Sequence, residues 1–200
     1  MHRTIFFFTL WFFLTAFPLQ VHAFDRVFAQ VYGGQLANMD VANFFYDQTQ
    51  LTKMKGAFML TGGMGAESFV WKNHLAFGFE GNVSYHWGYQ NQDFAEFSSA
   101  IYLRLYNPWS ERFFPSIALG DGLSVTTQVP KYEKKYGTGD PENPMDSAVL
   151  NFLFVDVEVG RYQDVSLFYR LHHRCTVFGA IGASVPGGIN FHSVGLRYTF

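Results

Sequence analysis

The chain has 200 residues, a formal net charge of −2 and an aromatic content of 20%, with 24 phenylalanines. A net charge this close to zero gives no electrostatic case for nucleic-acid binding, which requires a basic stripe on the surface. The single cysteine, Cys175, has no second cysteine to pair with, so the fold cannot depend on an intramolecular disulfide.

The first 23 residues have the anatomy of a secretory signal. Arg3 provides the positive charge near the N-terminus, residues 5–19 form an apolar run, and Val21-His22-Ala23 is a small-residue cleavage site. The apolar run is too short and too aromatic for a membrane helix. We therefore predict that residues 1–23 are a signal peptide and that residues 24–200 form one exported domain.

Residues 24–200 show a two-residue alternation of apolar and polar side chains. This alternation predicts eight strands, at 26–36, 55–64, 73–85, 94–106, 114–125, 148–159, 164–175 and 189–200. Each predicted strand is near the length that a tilted membrane strand needs. No segment after the signal offers the roughly 18 consecutive apolar residues of a membrane helix, so a membrane location requires strands.

The connections between these strands alternate in length. The first, third, fifth and seventh have about 18, 8, 22 and 13 residues, whereas the second, fourth and sixth have about 8, 7 and 4. Long loops on one side and short turns on the other are typical of outer-membrane barrels. The closing residues 194–200 also resemble the C-terminal signature that the bacterial barrel-insertion machinery recognises. We predict an all-β, eight-stranded antiparallel outer-membrane barrel; a soluble secreted β-sandwich remains open, because alternation also fits its core.

Seven charged side chains lie opposite the apolar rows, on the face that would line the lumen. They are Glu80, Glu96, Arg104, Asp156, Glu158, Arg170 and Arg197. An eight-stranded barrel is only wide enough to be filled by side chains. We therefore expect these charges to be paired with one another inside the barrel rather than to line a channel.

Two segments do not follow the simple pattern. Asp121 shares parity with apolar neighbours, and its flanking glycines favour a β-bulge that turns it inward; the alternative is a functional carboxylate that faces outward. Residues 128–146 carry three lysines and three prolines, which predict an exposed, irregular loop. Those lysines suit the phosphates of lipopolysaccharide, and a solvated loop accounts for them equally well.

Four polar residues are predicted to share the outer wall at the extracellular end of the last two strands. His173 and Cys175 have the parity of the apolar row on the seventh strand, and Asn190 and His192 that of the apolar row on the eighth. Ionisable groups that face lipid are expensive and usually functional. The structural alternative is an interfacial histidine beside a small residue, because the cost falls toward the rim.

The segments around these residues resemble the PagL-type lipid A 3-O-deacylase family. They are Arg170-Leu-His-His-Arg-Cys-Thr-Val-Phe-Gly179, Gly187-Gly-Ile-Asn190 and Gly195-Leu-Arg-Tyr-Thr-Phe200, and residues 119–124 and 129–130 are similar to the family's fifth strand and the loop after it. The resemblance implies an eight-stranded outer-membrane barrel that hydrolyses the ester-linked acyl chain at position 3 of lipid A. It places the motif histidine at His173, the nucleophilic serine at Cys175 and the orienting glutamate at Asn190.

Two of these three positions depart from the family pattern. A Cys-His-Asn set is still chemically coherent, because the same three residue types serve in papain-like proteases. Thr176, after the nucleophile, is expected to offer its backbone N–H to the oxyanion, and His192 to contact substrate. The expected partners are lipid A, outer-membrane lipids and the insertion machinery, with no metal or other cofactor and no nucleic acid.

Alternative functions remain open at this point. The cysteine in place of serine favours a non-catalytic structural or adhesive barrel with a degenerate deacylase site. Pairing of subunits into a homodimer is also open, since nothing in the sequence decides it.

Overall fold

The computed structural model of the protein describes residues 24–37, 54–110, 112–138, 142–177, 180–181 and 187–200. The predicted signal peptide, residues 1–23, lies outside the described residues, and so does most of the first long connection.

Eight antiparallel strands form one closed barrel in which each strand pairs with its sequence neighbours and the last pairs with the first. The strands are β1 (Arg26–Ala37), β2 (Met54–Trp71), β3 (Leu75–Trp87), β4 (Phe94–Tyr106), β5 (Phe113–Thr126), β6 (Val149–Tyr162), β7 (Val165–Cys175) and β8 (Gly188–Thr199). A short helix, α1 (Lys131–Tyr136), lies between β5 and β6. The predicted eight-stranded barrel is confirmed, and the β-sandwich is excluded because the sheet closes on itself.

The second strand is longer than the sequence pattern predicts. It continues to Trp71 instead of ending near residue 64, so the link to β3 shortens to residues 72–74. Glu67, one of the added residues, connects this extension to β4. It forms an ion pair with Arg104 at 3.3 Å and accepts a hydrogen bond from Tyr102 at 3.1 Å. The sequence pattern does not predict this extension, because the glycines at 62, 63 and 65 and Ser68 weaken the apolar alternation.

The outer wall of the barrel is an apolar band. Its side chains point away from the lumen and are about half exposed, and they include Leu60, Val83, Ile101, Leu103, Leu119 and Leu196. Exposed aromatic rings lie toward both ends of the strands: Tyr85 and Trp87 on the long-loop side, and Trp71, Trp109 and Tyr162 on the short-turn side. A continuous apolar wall between two aromatic girdles matches the hydrocarbon layer of a bilayer, so the protein resides in the bacterial outer membrane. No helix among the described residues is long and apolar enough to cross a membrane.

The lower half of the lumen, toward the short turns, is filled by ion pairs. All seven predicted lumen charges are buried, which confirms that prediction. Asp156 is at the centre: it contacts Arg170 at 2.8 Å and Arg104 at 3.5 Å, and it also pairs with Arg197. Arg170 in turn bonds both carboxylate oxygens of Glu80, at 2.5 and 2.9 Å. Because each charge has a partner of opposite sign, the interior is a packed network.

The upper half of the lumen, toward the long loops, is closed by α1. Its residue Tyr132 packs inside the barrel mouth against Phe94 and Phe191 and shares a 3.2 Å hydrogen bond with His86. Next to it, Glu133 is fully buried and forms an ion pair with Arg174 of β7. The prediction of an exposed, irregular loop over 128–146 was therefore wrong for α1, which we call the plug helix.

The predicted bulge at Asp121 was also wrong. β5 pairs without interruption from Ser116 to Val125 on β6, and Asp121 lies opposite Leu153 in regular register. Its side chain is therefore on the outward face and exposed. The carboxylate is tolerated there because it accepts a 2.8 Å hydrogen bond from the amide of Asn151.

Candidate functional site

The four predicted site residues lie on the outer wall where β7 and β8 reach the long-loop end. In the antiparallel register, His173 lies opposite Asn190 and Cys175 lies opposite Gly188. All of these positions have the outward parity, since the inward positions between them are occupied by buried Arg174 and Ile189. The barrel therefore brings His173, Cys175 and Asn190 together by strand pairing alone.

The imidazole of His173 is oriented by Asn190. Nδ1 of His173 donates to Oδ1 of Asn190 at 2.7 Å. A proton held on Nδ1 selects the tautomer whose lone pair is on Nε2. This is the arrangement that a general base needs, with one ring nitrogen anchored and the other basic.

Gly188 leaves the space in which the imidazole and the thiol meet. A Cβ at this position would lie 2.4 Å from Cε1 and 2.9 Å from Nε2 of His173, and 3.1 Å from Cβ of Cys175. The basic edge of the ring and the cysteine therefore flank the same bare stretch of backbone. Any larger residue at position 188 would displace one of them, because contacts below 3.0 Å force a shift.

The site lies in a recess of the outer wall. Cys175 is 9% exposed and Asn190 2% exposed, whereas the outward apolar residues Val194 and Leu196 on the same strand are 57% and 50% exposed. Burial of polar side chains on a lipid-facing surface is costly unless each one is hydrogen-bonded. The recess thus holds a hydrogen-bonded polar group within an otherwise apolar surface.

Two residues that the sequence pattern did not single out as a pair complete this polar group. Asn151 of β6 lies directly opposite Cys175 in the register, and its Nδ2 is 4.0 Å from Sγ of Cys175. The same Nδ2 donates to Oδ1 of Asp121 at 2.8 Å. Asn151 could have been found from the sequence, because it shares the outward parity of Leu153 at the start of the sixth strand.

His192 lies two residues after Asn190 on β8, toward the membrane. It shares a hydrogen bond with the hydroxyl of Tyr169, and its cross-strand neighbours are Leu171 on β7 and Gln35 on β1. It is therefore on the same outward face as His173 but bonded to a different partner. The expectation that it contacts substrate stays a prediction.

The expected oxyanion role of Thr176 does not fit the structure. Its backbone N–H donates to the carbonyl of Gly187 at 3.0 Å, and its hydroxyl accepts from the N–H of Gly187 at 3.0 Å. Strand pairing thus continues one residue beyond β7 and engages the amide that was expected to face the substrate.

The geometry joins a thiol, a histidine anchored by an amide, and a second amide beside the sulfur. These are the parts of a nucleophile–base site for acyl transfer. Within the described part of the chain, no group of three or more histidine, cysteine or acidic side chains is arranged to hold a metal ion.

No protein-family model matches the sequence, and no curated protein is significantly similar to it. Solved structures are similar in fold. The crystal structure of the outer membrane enzyme PagL aligns with 86% of this chain and 98% of its own, with a TM-score of 0.58 and 11% identity. Neisserial surface protein A aligns with 87% of this chain and 97% of its own, with a TM-score of 0.48 and 15% identity. OprG from Pseudomonas aeruginosa aligns over 88% and 97%, with a TM-score of 0.39 and 9% identity. At this identity, the likeness to PagL shows a shared barrel fold.

Proposed function

We propose that this barrel is an outer-membrane ester hydrolase that removes an ester-linked acyl chain, at the 3-O position, from lipid A of lipopolysaccharide. Cys175 is the nucleophile, His173 the general base and Asn190 the residue that orients the imidazole. The fold shared with PagL and the resemblance of the segments around Cys175 support the choice of substrate.

One observation carries this proposal. The Nδ1 of His173 is anchored to Asn190 at 2.7 Å, and the opposite edge of the ring faces Gly188 beside Cys175. The hydrogen bond selects the tautomer in which Nε2 carries the lone pair, and that basic edge is the one on the side of Gly188 and Cys175. Because the group faces lipid, it would meet acyl chains laterally.

The chemical steps follow from these positions. His173 takes the proton of the thiol, and Sγ of Cys175 attacks the ester carbonyl to form a C–S bond. The C–O bond then breaks, the sugar hydroxyl leaves with the proton from His173, and an acyl-thioester remains. Water, deprotonated by the same histidine, hydrolyses the thioester and releases the fatty acid and the free thiol.

Mass spectrometry of lipid A tests the proposal. Cells that express the wild-type protein should lose one ester-linked chain, whereas His173→Ala should leave lipid A intact. General-base catalysis contributes about 10²–10⁴-fold, so loss of the imidazole should bring the product below detection. Identical spectra from the two proteins, at equal amounts of folded barrel, would contradict the proposal.

A second candidate is a non-catalytic structural or adhesive barrel. The observations that favour it are the thiol at the position of the family's serine and a lumen that is packed with side chains. Cys175→Ser separates the two functions. Deacylation by the serine variant alone would identify a degenerate enzyme, whereas deacylation by the wild type supports the hydrolase.

A further inference from the structure

The amide of Asn151 has no place in the three-residue set, yet it lies beside the sulfur. Asn151 and Cys175 are direct cross-strand partners on β6 and β7, and Nδ2 is 4.0 Å from Sγ. Its side chain is 8% exposed although it has the outward parity. A buried amide in a lipid-facing wall requires hydrogen-bond partners, and Asn151 finds one in Asp121.

The thiol is flanked on its two sides by different chemistry. On the β8 side it meets the edge of His173 over Gly188, and on the β6 side it meets the N–H donors of Asn151. When a thiolate attacks an ester, negative charge develops on the carbonyl oxygen, which needs a donor already in position. The backbone N–H of Thr176 cannot provide it, since it pairs with Gly187.

We infer that the side-chain amide of Asn151 is the oxyanion donor of the site and that Asp121 is its positioning residue. This inference rests on the proposed ester hydrolysis and adds a residue to it. Nδ2 carries two hydrogens: one is donated to Oδ1 of Asp121 at 2.8 Å, and the second is directed at Sγ over 4.0 Å in the resting site. In the reaction this second hydrogen is donated to the oxygen that forms next to Sγ. The carboxylate also fixes which end of the amide faces the thiol.

The positioning role accounts for the presence of Asp121, an exposed carboxylate on β5. A carboxylate on a lipid-facing strand is destabilising unless it has a partner, and a leucine at position 121 would continue the apolar row of Leu119 and Leu123. Asp121 is instead bonded to the amide of Asn151, which lies beside the nucleophile. The contacts of Asn151 with Asp121 and Cys175 thereby join β5, β6 and β7 in a single site.

The first experiment compares acyl transfer with alkylation of the same thiol. Purified wild type and Asn151→Ala are assayed on lipid A in detergent micelles, and Cys175 is separately alkylated with iodoacetamide across pH. Alkylation forms no oxyanion, so Asn151→Ala should leave its rate and pH profile within about threefold while kcat falls about 10²–10³-fold. His173→Ala should lower both rates, because it removes the base.

Each outcome has a defined meaning. Wild type and Asn151→Ala with equal kcat would overturn the assignment of Asn151 while leaving the proposed function intact. A shifted alkylation profile in Asn151→Ala would also overturn it, since the amide would then act on the thiolate and not on the oxyanion. Inactive wild-type protein would remove the proposed function and this inference with it. Heat-modifiable gel mobility verifies that each variant is folded.

A double-mutant cycle tests the positioning role of Asp121. Asp121→Leu should lower kcat about tenfold with little change in KM, and it should have no further effect in Asn151→Ala. Additive losses would show that Asp121 acts independently and would contradict this role. Leu119→Ala, an exposed outward residue two positions along the same strand, is the matched control and should retain wild-type kcat.

Discussion

Gly188 is the residue whose size decides whether the proposed base and nucleophile can meet. Its missing side chain leaves room for Cε1 and Nε2 of His173, and its backbone N–H is held by the carbonyl of Gly137 at 2.7 Å. The backbone at this position is therefore held from the loop side, while the space that its side chain would take is occupied by the imidazole of His173.

We expect Gly188→Ala to abolish deacylation without unfolding the barrel. The added Cβ would overlap the imidazole at 2.4 Å, so the ring must move, and a displacement of about 1 Å in an active site can cost about 10²-fold in rate. Gly62→Ala is the matched control, because a Cβ at that outward-facing glycine of β2 meets nothing within 4 Å. Activity of Gly188→Ala equal to that of Gly62→Ala would show that the ring is not where the chemistry takes place.

Asn190 offers a second test at the level of one hydrogen bond. Asn190→Ala removes the acceptor at 2.7 Å from Nδ1, so the imidazole loses its preferred tautomer, and kcat should fall about 10²-fold. Asn190→Glu places a carboxylate acceptor at the same position and should retain most of the activity. If the alanine variant were as active as wild type in the lipid A assay, the orienting role would be refuted.

Strand parity was enough to predict which of the site residues face outward together. It correctly placed His173, Cys175 and Asn190 on one face, because side-chain direction in a strand depends only on position. Parity does not predict hydrogen bonds between side chains that are far apart in the sequence. The sequence pattern predicts an inward Asp121 because a lone carboxylate in lipid is costly, and the partner that lowers this cost, Asn151, is 30 positions away in sequence.

At the scale of elements, docking of the plug helix is expected to depend on pH. Glu133 is fully buried, and burial raises the pKa of its carboxyl from 4.5 to about 7, although Arg174 opposes this shift and Glu96 adds to it. A raised pKa means that the docked helix binds a proton more tightly than the undocked helix does. We therefore expect docking to be most favourable below pH 4.5 and to weaken as pH rises through about 7.

Hydrogen exchange of the amides of 131–136, corrected for intrinsic rates, measures this dependence. Protection should decrease between pH 5 and pH 8 by an amount equivalent to about 3 kcal/mol or less, from the size of the pKa shift. Glu133→Gln cannot titrate and should give protection independent of pH in this range. Glu142→Gln, an exposed carboxylate of the same loop, should keep the wild-type slope. A flat profile in wild type would show that Glu133 does not control docking.

The strands were predictable as elements and the plug helix was not. Six of the eight strands agree with the sequence pattern to within two residues at each end, since the alternation of each one is set by lipid on one side and lumen on the other. β6 continues three residues further than predicted and β2 seven. The helix is six residues long and carries lysines on its exposed side, so its local composition resembles that of any loop. Only the barrel mouth, which is formed by residues far away in sequence, makes burial of Tyr132 favourable.

For the whole molecule, stability should depend on the ion pairs in the lumen. Asp156→Ala would leave Arg104, Arg170 and Arg197 without their shared carboxylate in a buried site, which should cost roughly 3–5 kcal/mol. The matched control is Asp146→Ala. It breaks only the exposed pair with Lys134 at 2.7 Å and should cost less than about 1 kcal/mol. Urea unfolding in lipid vesicles, followed by loss of heat-modifiable mobility, measures both; equal midpoints would contradict a stabilising network.

A recess on the outside of a barrel that faces hydrocarbon also determines how the proposed hydrolase would encounter its substrate. Lipid A and the enzyme would diffuse in two dimensions, so the relevant concentration is the mole fraction of substrate in the bilayer or micelle and not its molarity in the buffer. Adding inert detergent at constant lipid A should slow deacylation by surface dilution, while adding buffer at a constant ratio of lipid to detergent should not. Turnover would then report on the composition of the outer leaflet in which the protein is embedded.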